Sequence, residues 1–115
     1  MAINGNKARY EGLRSIAFGT IGTGYTQIGT NFSNPVRILI VTNATNQGLF
    51  FSYDGMTDNS WIPASSAPRI INYCANSAGA VGLLEHPMQT GVFVKYVTNA
   101  PTSGAVYIET IYADN

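Results

Sequence analysis

Residues 91–113 read GVFVKYVTNAPTSGAVYIETIYA, two runs rich in β-branched and aromatic residues separated by a polar stretch containing Pro and Gly. Both runs have a period of two. In the first, Val92, Val94 and Tyr96 fall on one side of an extended chain, with Phe93, Lys95 and Val97 on the other. In the second, Val106, Ile108, Thr110 and Tyr112 share a side, opposite Ala105, Tyr107, Glu109 and Ile111. One side is apolar and the other mixed, which is the pattern of strands that bury one face. The NAPTSG stretch reads as a hairpin turn, and that predicts Lys95 and Glu109 near each other across the pair.

The same signature extends outward. RSIAFGTI, TQIGTNF, VRILIVTN, GLFFSY, SWIPA, RIINYCAN and VGLLE are rich in strand formers, and between them stand TGTG, SNP, NATNQG, DGMTDN, PASSAP, NSAGA and HPMQTG. These turn clusters recur every 8–15 residues or so, as in an all-β sandwich or barrel. VRILIVTN, residues 36–43, is apolar on both faces except at Arg37, so it is expected to be a central strand. No stretch has helical periodicity.

With 115 residues, the chain is the size of one domain, with room for a core but little for a roomy cleft. Six basic and six acidic residues cancel, which argues against direct nucleic-acid binding and against attraction to an anionic membrane. Only 10% of residues are charged, against about 25% in ordinary soluble domains. A surface so poor in charge is best understood as covered by a partner, in a homo-oligomer or a larger assembly. The N-terminus lacks an apolar signal core and no long apolar run is present, so synthesis in a cytoplasm is expected.

Residues 1–12, MAINGNKARYEG, concentrate charge that the rest avoids and read as an extended arm, ahead of a sandwich domain over residues 13–115. Such an arm is either a frayed terminus or a segment that becomes ordered across a neighbouring subunit. Lys7, Arg9 and Tyr10 are its candidate contacts.

Four features bear on chemistry. In FFSYDGMTDNSWIPA, residues 50–64, Asp54 and Asp58 offer oxygen ligands, but Ser65 stands where a calcium loop needs its bidentate Glu. Asp54 before Gly55 and Asp58 before Asn59 are explained as turn formers, with Trp61 either in the core or exposed as a contact. Cys74 reads as a small buried hydrophobe, not as a nucleophile served by His86, the one histidine. TIGTGYTQIG lacks the lysine and the following helix of a phosphate cradle. Tyr53, Trp61, Tyr73, Phe93, Tyr96, Tyr107 and Tyr112 are of the type that stacks on bases or sugars, but packing and protein contacts account for them more simply. These readings leave no catalytic residues, no metal site and no cofactor.

The succession LRSIAFGTI, FSNPVRILIVTNATN, LFFSYDGMTDNSWIPA, RIINYCAN and GVFVKYVTNAPTSGAVYIETIYA resembles small virion proteins of tailed, podovirus-like bacteriophages. The resemblance spans residues 10–113 and rests on strand and turn patterns. It implies a jelly-roll-like β-sandwich that decorates or cements the capsid, bound to the major capsid protein or other virion proteins. A head–tail connector, neck or tail-adaptor component is the alternative, and a carbohydrate-binding sandwich a second. The decoration reading places the contacts on the arm, Lys7, Arg9 and Tyr10, and on the turn from Asp54 through Asp58 to Trp61.

Overall fold

A computed structural model describes residues 7–34, 36–72 and 91–114. Nine strands form within them: β1 (Lys7–Tyr10), β2 (Arg14–Ala17), β3 (Thr26–Gln27), β4 (Val36–Asn43), β5 (Leu49–Ser52), β6 (Ser60–Ile62), β7 (Arg69–Asn72), β8 (Phe93–Lys95) and β9 (Ala105–Asp114). A short 3-10 turn at Phe18–Thr20 follows β2. The segments VGLLE, Tyr73, Cys74 and His86 lie outside the described residues.

The strands make two antiparallel sheets packed as a β-sandwich. In sheet A the order is β1-β9-β4-β7, with β2 beside β1 along the same edge of β9. Sheet B has the order β3-β8-β5-β6. The pairing is nested: β2 with β9, β3 with β8, β4 with β7 and β5 with β6. The chain therefore behaves as one long hairpin, closed at the β5–β6 turn, that winds back and forth between two layers.

The core is the seam between the layers. Leu39, Val41, Val106 and Ile108 of sheet A meet Leu49, Phe51, Ile62, Val92 and Val94 of the opposite side, and all are essentially inaccessible to water. The expected alternation holds: Val106, Ile108 and Thr110 point inward from β9, and Val94 from β8. VRILIVTN is a central strand, flanked by β9 and β7. Burying a side chain such as Phe51 contributes about 2 to 3 kcal/mol by transfer.

Two expectations change. β8 lies in sheet B and β9 in sheet A, so NAPTSG crosses between layers and makes no hairpin, and Lys95 and Glu109 sit on different sheets. Period-two patterning gives each strand its inner face but leaves its partner open, which is why the hairpin was the wrong pairing. The segment expected as an arm over 1–12 also enters the sandwich early. Residues 7–10 are β1, with Lys7 opposite Asp114 and Tyr10 opposite Ile111 on β9.

Between β1 and β2 the chain holds three residues, 11–13, against two on β9, because Tyr10 pairs with Ile111 and Arg14 with Ile108. This β-bulge turns Glu11 and Arg14 toward each other, and they pair at 2.7 Å with both side chains buried. The Arg14 guanidinium also donates to the carbonyls of Thr30 and Asn31, each at 2.9 Å, and lies 5.1 Å from the centre of the Phe32 ring. Glu11 accepts from Asn34 Nδ2 at 2.8 Å and from the Ser33 N–H at 3.2 Å. Burial pushes the Glu11 carboxyl up, but the donors from Arg14, Asn34 and Ser33 outweigh it and hold it below its ordinary value.

A second polar pin holds the other end. Asn43 is fully buried; its Nδ2 donates to the carbonyls of Gln47, Ile62 and Pro63, and its Oδ1 accepts from the N–H and hydroxyl of Thr45. The NATNQG turn is thereby tied to the end of β6.

Candidate functional site

The sandwich presents two outer faces of different character. On sheet A, the positions that alternate with the core are Tyr10, Ile38, Ile40, Ile70, Tyr107, Glu109 and Ile111, brought side by side by the register. Tyr10 is 64% exposed, with Leu13 of the bulge exposed near it, and Ile70, at the opposite edge of the sheet, is 67% exposed. A shallow hollow of about 440 Å³ lies among Tyr10, Leu13, Thr42, Tyr107 and the carboxylate residues Glu11 and Glu109. Isolated exposed apolar residues are ordinary; here isoleucine and tyrosine side chains, Ile38, Ile40 and Ile111 among them half-buried, lie side by side around Glu109.

On sheet B, the outward row across the strands is Trp61 on β6, Phe50 on β5 and Lys95 on β8, since Phe50 faces both of the others. Tyr25, just before β3, continues it, with its ring 4.7 Å from Lys95 Nζ. Trp61 is half exposed, and it is not a core residue. A methyl group at Gly48 would collide with Trp61 Cζ2 and come within 2.8 Å of Cε2. The indole therefore lies over the Gly48 backbone, a position that a side chain there would deny it.

The turn between β5 and β6 supplies the polar part. Asp54 is spent inside it: Oδ1 accepts from the N–H groups of Met56 and Thr57, both at 2.8 Å, and from the Ser52 hydroxyl, while Oδ2 accepts from the Thr57 hydroxyl. Those bonds, led by the Thr57 and Met56 N–H groups, hold its carboxyl far below the usual range. Gly55, at φ 85°, lets the loop fold over the ring of Phe93. The loop thereby reaches across β5 and delivers Asp58 to the other strands. Asp58 Oδ1 accepts from the Tyr25 hydroxyl at 2.5 Å and pairs with Lys95 Nζ at 3.1 Å. The Tyr25 bond and then Lys95 lower the Asp58 carboxyl, while burial, reinforced by Asp58, raises the Tyr25 phenol.

The candidate residues from the sequence are thus divided. Tyr10 belongs to the sheet A face, and Arg9, also exposed, points to the other side of β1. Asp58 and Trp61 belong to the sheet B face, and Asp54 only shapes the loop. Among the described residues the aromatics named from the sequence form no single platform: Tyr53 is buried in the core and Tyr107 is on sheet A, while Tyr73 lies outside the described residues. Tyr25, Phe50 and Lys95 were missed as a group, because their neighbourhood depends on strand order. Comparison with protein-family models, curated proteins and solved structures finds no match.

Proposed function

We propose that this chain is a non-enzymatic structural protein of a virion, a capsid decoration or cement protein that docks through the outer face of sheet A across neighbouring capsid subunits. The observation that carries the docking is the largely apolar face of Tyr10, Ile38, Ile40, Ile70, Tyr107 and Ile111 around the single carboxylate Glu109, in a chain with only 10% charged residues. The virion setting comes from the sequence resemblance. The nested pairing of eight strands supports reading the sandwich as a jelly roll, an architecture shared by viral capsid domains, although fold alone does not fix function.

The mechanism is burial. With strands about 4.8 Å apart and eight residues of β4 at about 3.3 Å each, the face projects to roughly 500 Å² before side-chain relief. That is a large part of the ~800 Å² each partner gives a standard interface. Each docked copy adds apolar contact that must be lost before subunits separate, and repetition over a lattice multiplies the gain. Tyr10 is the natural anchor, being aromatic, exposed and at the rim of the hollow.

The test is the amount of this chain relative to the major shell protein in purified particles, measured by quantitative mass spectrometry. Many copies spread over the lattice support decoration. A few copies at one vertex support the connector role instead, and absence from particles removes the virion reading.

A further inference from the structure

We infer that the outer face of sheet B is a saccharide-binding site, taking a neutral, extended glycan along the row Trp61–Phe50–Lys95–Tyr25. It lies on the opposite layer from the docking face and does not depend on that reading.

Three observations converge on sugar. The indole of Trp61 lies over Gly48 and is half exposed, so an aromatic surface is held in place by backbone and open to solvent. Sugar rings stack their C–H faces on such surfaces, as apolar matter against a π-face. Two strands away, beyond Phe50, Lys95 and Asp58 offer a donor and an acceptor fixed by each other. Asp58 Oδ1 holds both Tyr25 and Lys95, while its Oδ2 accepts no hydrogen bond among the described residues. The ammonium keeps N–H groups beyond the one directed at Asp58. A vicinal diol, each hydroxyl both donor and acceptor, matches that pair.

Charge and shape narrow the class. Lys95 offsets Asp58, and the ionised Asp54 in the same turn leaves the site slightly negative, which disfavours a phosphate or an acidic sugar. The row crosses four strand positions, about 14 Å at the usual ~4.8 Å spacing, too long for a monosaccharide. Because the row runs across the strands one side chain per strand, it suits the ribbon form of a β-1,4-linked chain over a coiled α-linked one. The Tyr25 hydroxyl, locked on Asp58, acts as a positioning group that fixes the carboxylate for the ligand.

The experiment uses the full chain, whose single tryptophan makes intrinsic fluorescence a direct report on this face. Cellohexaose and chitohexaose are titrated, with maltohexaose as the coiled comparison, and amide shifts are followed by NMR in parallel. Saturable quenching or a blue shift with at least one β-1,4-linked probe, at a Kd on the order of 1 mM or tighter, is expected. Trp61→Ala is expected to weaken binding more than tenfold by NMR, and Asp58→Asn and Lys95→Met about tenfold each. Tyr25→Phe keeps the ring and frees the carboxylate, so a several-fold loss is expected while Trp61 shifts persist. Circular dichroism confirms that each variant stays folded, and a variant that fails to fold is replaced by Phe50→Ala, which removes the middle of the row. No response to either β-1,4-linked probe, an equal response to maltohexaose, or binding unchanged by Trp61→Ala overturns the site.

Discussion

At the scale of single residues, the two polar pins carry unequal kinds of risk. Asn43 serves five hydrogen bonds from inside the core, to Gln47, Ile62, Pro63 and twice to Thr45. Truncating it leaves buried donors and carbonyls without partners, so Asn43→Ala is expected to lower unfolding free energy by about 3 kcal/mol, read from urea melts. Glu11 is a matter of pH. Its folded-state carboxyl titrates below the ordinary 4.5, so the contribution of its network is complete above about that pH and is lost as pH falls through the lowered value. Glu11→Gln should cost about 2 kcal/mol near neutrality and should flatten the decline in melting temperature between about pH 5 and about pH 3. A decline as steep as wild type, measured by scanning calorimetry, would assign the acid sensitivity to Asp54 and Asp58 instead.

At the scale of elements, the sequence was legible where one strand speaks for itself. The period of two in residues 91–113 named the inner faces of β8 and β9, and the doubly apolar VRILIVTN named a central strand. The exposed aspartate turn was likewise readable, since Asp54–Gly55 is local chemistry. Pairing was not, because NAPTSG looks the same whether it closes a hairpin or crosses between sheets. The Tyr25–Lys95–Asp58 cluster depends on that pairing and was hidden with it. Gly104, in that crossing, sits at φ 90° with the Ala44 carbonyl oxygen where a side chain would be. Gly104→Ala is expected to cost at least about 2 kcal/mol, from both the backbone strain and the clash, as measured by thermal denaturation.

At the scale of the whole molecule, two outer faces flank one core, one lined chiefly by isoleucine and tyrosine and the other by aromatic residues with an ion pair. The face of sheet A should make the chain associate with rising concentration in free solution, and the double variant Tyr10→Ser with Ile70→Lys should remain monomeric in sedimentation velocity while its own stability changes by less than about 0.5 kcal/mol. Association by the double variant equal to wild type would place the contact elsewhere.

The nested pairing also sets an order in time. Lys7 waits for Asp114 and Arg14 for Ile108, so no edge partner of β9 can zip up until that strand has been synthesised. Sheet B has the more local start, in the β5–β6 turn. During translation β4 therefore emerges with one long side unpaired for some sixty residues of growth, and folding is late, non-local and slow, on the millisecond-to-second scale of such topologies. In that interval the nascent chain carries an apolar strand with one side still open, so the pairing that closes the sandwich is also the step that covers it.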